Sequence, residues 1–506
     1  MKTFVFFIGG TGARVLRSMT MLLASGVTLK QKGDTIVPII VDFDATNADM
    51  HRSNNLLGTY NSLHAICDYS RDEFEGGFFK TPLGIQEDGH YREFVALSNM
   101  TFNDEKNTFG KFIGYDSLES ISKSTKLLID SLYDTSSDTS RDRELNLELQ
   151  YGFKGNPNIG SVVFNEYFKT DQYKNFKDSF NPGDRVFIVA SIFGGTGSSG
   201  LPQLVKKIRE DVQSKLEDDG SIKAIREAML GACVVLPYFK VKEDSNSAVN
   251  SLTFNSKAKA ALNYYYDEIN NLMSEVYYIG CKEQNSSGYD NIEGGEKQEN
   301  KAHLVEMLSA MSIIEFANHD ELQPDAVTKF YEYTTTSVEG AIPNPAFQDL
   351  LAKPGASHVY QTYMKKLNAF ALFVKYFQDY TRKECNKGFL APKSSYYKNL
   401  KDFVDPGKEF SEKLNDFANR FIDWTNELAQ NAIFGFEPYN FGKAKKLDEL
   451  IKLDNSNKYP KKNFDDEITR ILNSECSKEN TKDSNGAKTY LRHAYTACFE
   501  AVSKIN

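Results

Sequence analysis

The sequence predicts an α/β fold: a Rossmann-like parallel sheet followed by a mainly helical C-terminal part. Three observations predict it. Two apolar runs, Thr3–Ile8 and Ile188–Phe193, end in glycine-rich turns that open directly into amphipathic stretches. Ala302–Phe316 is apolar on nearly every side, as a helix buried between two layers must be. Beyond about Thr328 the apolar spacing is helical almost throughout.

Thr3 to Ile8 reads as a buried strand running into Gly9-Gly10-Thr11-Gly12-Ala13-Arg14. Val15, Leu16, Met19, Leu22 and Leu23 then recur at helical spacing. A helix N-terminus offers free N–H groups to an anion, and glycines let the ligand approach the backbone. Arg14 and Arg17 lie in the first turns, where the macrodipole disfavours cations unless an anion is near; simple surface arginines are the alternative. Thr35 to Val41 is a second strand, ending in Asp42-Phe43-Asp44-Ala45-Thr46. Carboxylates just past the carboxyl end of a parallel strand lie where open α/β sheets bind ligands. Asp44 is the candidate Mg²⁺ ligand, directly or through water, or else Asp44 or Thr46 caps the next helix.

Residues 47–150 break this rhythm. They read as an inserted helical region with a helix near Ser117–Tyr133 and an acidic, serine-rich tract at Asp134–Arg143, without a chemical motif. Order returns at the turn-rich loop Tyr151–Gly160, which leads into a helix around Ser161–Phe168. The strand ending at Phe193 opens into Gly194-Gly195-Thr196-Gly197-Ser198-Ser199-Gly200, and Leu201, Leu204, Val205 and Ile208 follow as a helical stripe. This loop is either a phosphate cradle or a structural strand–helix turn. It is neither the dinucleotide fingerprint nor a Walker loop, because no ribose-binding acid and no Gly-Lys-Ser/Thr follows.

Strands at Gly231–Tyr238 and Glu275–Gly280 flank a helix at Thr253–Asn270. A Gly/Asn/Glu-rich loop, Gln284–Glu299, precedes the central helix, which ends at Asn318-His319-Asp320 with Pro324 beyond. Amphipathic helices follow at Ser357–Cys385, Glu409–Asn431, Phe464–Cys476 and Ala487–Lys504, with Pro354, Pro392, Pro406 and Pro438 between several of them. The expected division is an α/β domain over 1–299, a central helix and loop over 300–325, and a helical domain over 326–506.

The 506 residues carry a net charge of −9, which argues against a broad nucleic-acid surface. The six cysteines are scattered without paired spacing, so neither a zinc site nor a disulfide framework is expected. No apolar run is long enough to span a bilayer. The expectation is a soluble, cytoplasmic protein.

Strand–Gly loop–helix, strand–acid, Gly/Asn loop, strand–Gly-Gly-Thr-Gly-Ser loop–helix and central helix–Asn-x-Asp occur in that order over residues 1–46 and 151–325. That ordered set resembles the tubulin/FtsZ superfamily of GTP-binding cytoskeletal proteins. The resemblance implies tubulin/FtsZ-type nucleotide loops. Gly9, Gly10, Thr11 and Gly12 match the first loop, with Ala13 where the family has Asn. Val41–Thr46 is similar to the family's strand–acid stretch, which puts Asp44 beside the nucleotide. Gly155-Asn156-Pro157-Asn158-Ile159-Gly160 resembles the bacterial members' loop facing the terminal phosphate, so Gly155 and Asn156 would lie there. Gly194, Gly195, Thr196, Gly197 and Ser198 would form the cradle, although Phe193 and Ser199 stand where the family has glycines. Pro237 would sit beside the ribose.

Cys281 falls where the family reads guanine. Asn300 either supplies an amide to the base or caps the central helix. The family's hydrolytic acid follows the central helix and enters the next subunit's site. Asp320, with Asn318, holds that position here, or these residues simply form a helix-ending turn. The resemblance implies a protein that binds GTP/GDP with Mg²⁺ and hydrolyses GTP coupled to assembly into filaments or rings. The C-terminal helices would offer a further contact for a protein partner. The alternative is a non-polymerising nucleotide sensor or scaffold acting through those helices. A dinucleotide-dependent enzyme is disfavoured, since no Tyr-x-x-x-Lys or His-based site follows the glycine loops.

Overall fold

A computed structural model describes residues 1–67, 69, 76–87, 90–92, 107–133, 144–210, 220–243, 253–281, 289–292, 294–320, 327–335, 358–381, 408–431, 436–453, 459–460, 463–478 and 486–505. The acidic tract 134–143 and the loops holding Pro324, Pro354, Pro392 and Pro406 lie outside the described residues.

Six strands form one sheet: β1 (Lys2–Ile8), β2 (Thr35–Val41), β3 (Arg185–Ser191), β4 (Leu230–Val235), β5 (Glu275–Cys281) and β6 (Lys329–Thr335). They lie in the order β2-β1-β3-β4-β5-β6, and every pairing is parallel. β1 to β4 are buried along their whole length, which is why they read as continuous apolar runs rather than alternating ones. Ile8 pairs with Val41 on one side and Ala190 on the other, so the carboxyl ends of β1, β2 and β3 finish level.

The two faces of the sheet feed different cores. Val5, Phe7, Ile40, Phe187 and Val189 pack with α1 (Gly9–Ala24), α2 (Ala48–Cys67) and the central helix. Phe4, Phe6, Val41, Ile188 and Val234 pack with α3 (Pro157–Val163), α4 (Thr196–Glu210) and α5 (Phe254–Glu268). The central helix, α6 (Leu304–Asn318), buries twelve of its fifteen residues, as its all-round apolarity requires.

Behind α1, α2 and α6 lies a further layer, formed by α7 (Lys365–Tyr376), α8 (Glu409–Asn431), α9 (Phe464–Lys478) and α10 (Gly486–Ser503). Phe370, Phe417, Phe421 and Trp424 belong to the same apolar cluster as Leu16, Leu22 and Met311, so this layer shares its core with the sheet. Trp424 Nε1 donates to Ser18 Oγ at 3.2 Å.

Three features differ from the sequence reading. β6 is a strand in the stretch read as mainly helical, and it completes the sheet beyond the central helix. The one helix expected near Ser117–Tyr133 is two, Tyr115–Ile121 and Lys123–Leu132, without a buried residue between them, while the same inserted region also supplies the partly buried α2. The turn-rich loop leads into α3 at Pro157, earlier than expected, because proline suits the first helical position. Among the described residues, no helix is long and apolar enough to cross a membrane.

Candidate functional site

The chain leaves β1 toward β2 on one side and returns to β3 on the other, so the strand order reverses between β1 and β3. A crevice forms at such a switch point, outside the carboxyl ends of the strands. Here it is a cleft open to solvent and lined by both glycine-rich turns.

Two helix starts point into it. Gly9, Gly10 and Thr11 begin α1 directly from β1, and no side chain caps that N-terminus. Gly194, Gly195, Thr196 and Gly197 carry β3 into α4 on the opposite wall. The third wall is Tyr151–Gly155, pressed against the second loop. A methyl group on Gly195 would lie 2.9 Å from Phe153 Cβ and 3.0 Å from the Gly155 nitrogen. Gly152, Lys154 and Gly155 all take positive φ (75°, 45° and 76°), which the two glycines adopt freely and which costs backbone strain only at Lys154. The rim is made by Asp42, Asp44 and Asn47 after β2 and by Gln298 and Asn300 before α6.

Of the residues proposed from sequence to contact a nucleotide, Gly9, Gly10, Thr11, Asp44, Gly155, Gly194, Gly195, Thr196, Gly197 and Asn300 line this one cleft. Gly12, Asn156, Ser198 and Pro237 do not line it. Gly12 is there for packing: a Cβ would stand 2.6 Å from the carbonyl carbon of Phe7, so only glycine lets α1 fold back on its own strand. Asn156 precedes α3, and its carbonyl accepts from Gly160 N at 3.1 Å. The Ser198 hydroxyl turns back onto the carbonyls of Gly194 and Gly195, tightening the loop.

Asp44 is fully engaged by its own chain. One carboxylate oxygen accepts from Thr46 N at 3.0 Å and Thr46 Oγ1 at 2.7 Å, and the other from Gly295 N at 2.6 Å. It therefore clamps the loop after β2 to the segment before α6. Burial pushes the neighbouring Asp42 carboxyl up to about 7, the Asp44 charge adding to the effect. No group of three or more His, Cys, Asp or Glu side chains with metal-binding geometry occurs among the described residues.

Arg14 does not face the cleft as a free cation. Its guanidinium bonds Glu306 at 2.6 Å, Asp49 at 2.6 Å and Tyr238 at 2.8 Å, and reaches Thr11 Oγ1 at 3.3 Å. Glu306 also accepts from Tyr238 OH at 2.6 Å and completes the capping box of α6 with His303. Arg17 pairs with Glu427 of α8, which also accepts from Arg52 and from Ala302 N. Both arginines of α1 are thus spent on carboxylates, one from the central helix and one from the C-terminal layer. Asn300 holds its main chain on Asp49 and Arg52, and its side-chain amide makes no hydrogen bond to any of the described residues.

Asn318 and Asp320 lie at the other end of the sheet. Asn318 Oδ1 accepts from Lys30 N at 2.7 Å, and the exposed Asp320 pairs with Lys30 Nζ at 2.6 Å, which holds its carboxyl below the usual range. Between them His319 leans on the buried Glu275 at 2.9 Å, which raises its pKa.

No family model and no curated protein matches this sequence. Among solved structures, the chain is similar to CetZ from Methanosaeta thermophila strain DSM 6194. Identity is 13%, the TM-score is 0.25, and the similarity covers 62% of this chain and 51% of that one. It thus spans about half the length of that protein.

Several cleft residues are not among those proposed from sequence. Lys257 enters from α5, and Phe239 and Phe254 pack edge-on at 6.0 Å along one wall. Phe239 belongs to the proline-aromatic turn that follows β4, whereas Lys257 and Phe254 belong to no local motif. Each is brought in by a helix or loop remote from the glycine turns.

Proposed function

We propose that this chain is a tubulin/FtsZ-like guanine-nucleotide-binding protein that hydrolyses GTP coupled to self-assembly. One observation carries the reading: two glycine-rich helix starts from neighbouring parallel strands meet at the strand-order reversal, with a third turn closing over them. Phosphates would take the free N–H groups of α1 and α4 and the hydroxyl of Thr196. The base would lie toward Phe239, Phe254 and Asn300, whose amide could read a purine edge.

Mg²⁺ bound with such a ligand takes most of its coordination from phosphate oxygens and water. Asp44 would hold the ion through water, since its two oxygens already accept from Thr46 and Gly295. Asp42, which accepts from Asp44 N at 3.2 Å, would add its charge beside it. A divalent cation there would favour the charged form of Asp42 against the burial that raises its pKa. Hydrolysis would use Asp320 of a neighbouring copy to orient water at the terminal phosphate, since Asp320 and the cleft lie at opposite ends of the sheet.

A second reading, a nucleotide sensor that does not polymerise, draws support from the Arg17–Glu427 pair, which ties a cleft helix to the C-terminal layer. One set of measurements tests both. The nucleotide retained by the purified chain is identified, and sedimentation is followed with GTP and GDP. GTP-dependent pelleting with turnover supports the polymer, and GTP binding without pelleting supports the sensor. A co-purifying dinucleotide would overturn both.

A further inference from the structure

Lys257 is a cation placed in the cleft whose one hydrogen bond among the described residues is to a main-chain carbonyl. It projects from the first turns of α5 into the cleft, and its Nζ donates to the Gly155 carbonyl at 2.7 Å. Among the described residues no carboxylate lies within ion-pair distance of it. Burial pulls its pKa below the ordinary lysine value, with the more distant Glu144 charge opposing. Arg14, the other cation brought into the cleft by a helix, is already matched by Asp49 and Glu306. A half-buried ammonium without a counterion, beside two helix N-termini, gains more from a polyanion than a solvated one does.

Its present partner lies in a turn with one costly residue. Gly155 takes a φ of 76°, and the preceding Lys154 takes 45°, a conformation costly for any residue with a side chain. A Cβ on Gly195 would stand 3.0 Å from the Gly155 nitrogen, so the turn packs directly on the second glycine loop. The hydrogen bond from Lys257 helps to hold the turn in this form.

We propose that Lys257 senses the terminal phosphate of the bound nucleotide, giving up Gly155 for that phosphate and so freeing the Tyr151–Gly155 turn. This rests on the nucleotide-binding reading above and adds to it how a triphosphate is told from a diphosphate. The bond exchanged is a charge-assisted hydrogen bond, for which a carbonyl is a weaker acceptor than a phosphate oxygen.

The test uses the full chain and its Lys257→Met and Lys257→Arg variants, titrated with GTPγS and GDP, and with ATPγS and ADP in parallel. Lys257→Met is expected to weaken triphosphate binding about ten- to a hundredfold. Diphosphate binding should stay within about threefold, and Lys257→Arg should keep the preference. Amide exchange adds a readout on the unaltered chain: the 151–155 amides should exchange faster with GTPγS than with GDP bound. Equal losses for both nucleotides, no loss, or unchanged exchange would overturn the inference while leaving the nucleotide site intact. If the unaltered chain binds none of the four probes, both the inference and the reading beneath it fall.

Discussion

Gly195→Ala is the substitution that most directly probes the cleft. Its added methyl would sit 2.9 Å from Phe153 Cβ and 3.0 Å from the Gly155 nitrogen, against a comfortable separation of about 3.5–4.0 Å. One of the two loops must retreat by about 0.5–1 Å. The Tyr151–Gly155 turn already sits in positive φ and cannot slide without changing those angles. Overpacking of this kind costs about 1–3 kcal/mol. If the cost falls on the liganded arrangement, affinity drops by about five- to 150-fold. The assay pairs equilibrium titration with GTPγS against thermal unfolding. Two controls bracket it. Gly12→Ala, with its 2.6 Å contact to Phe7, should lower stability, and Gly442→Ala, with nothing within 4 Å, should change neither quantity. The reasoning is refuted if Gly195→Ala binds GTPγS within threefold of the unaltered chain, because the 151–155 turn would then not border the ligand.

Three further outcomes are expected. Glu306→Ala strands the buried Arg14 with one carboxylate and removes the capping-box partner of His303, so urea unfolding should show a loss of about 3–5 kcal/mol, with Glu306→Gln less damaged. His303 is buried and neutral, its pKa lowered to about 4 by burial and by Arg14. The unfolded chain takes up this proton near 6.5, so stability from this residue is complete above that pH. It falls away between pH 6.5 and 4, by about 3 kcal/mol in total; His303→Ser, which keeps a capping oxygen, should flatten that part of the curve. Asp320→Ala should leave folding and nucleotide binding unchanged but abolish concentration-dependent GTP turnover; retained turnover would remove the acid from the mechanism.

The strand–loop–helix units were legible because a strand covered on both faces must be apolar at every position, and because glycine and the apolar helix stripe sit next to it in the chain. The central helix announced itself in the same way. β6 did not. As an edge strand with a single neighbour it leaves Phe330 more than half exposed, so Lys329, Phe330, Glu332 and Thr334 show no continuous apolar run. The helices near Ser117–Tyr133 were legible, but their exposure was not. Leu127, Leu128 and Leu132 look like a core stripe, yet each is more than half exposed. The roles of Arg14 and Asp44 were out of reach because their partners are remote: Glu306 stands 292 residues from Arg14 and Gly295 stands 251 from Asp44. Lys257 had no local pattern at all; only the fold of α5 against the 151–155 turn gives it a position.

The shared core of α1 and the C-terminal helices bears on how the molecule can be cut. Met19, Leu22 and Leu23 belong to one continuous apolar cluster with Phe421 and Trp424, and Arg17 would lose Glu427 if α8 were removed. A fragment ending after β6 would keep every loop of the cleft yet expose the back of the helix that forms its floor. Such a fragment should be recovered as aggregate, not as a minimal binding module. Tags and labels belong instead at turns such as Gly183 or Gly33, where no neighbour lies within 4 Å.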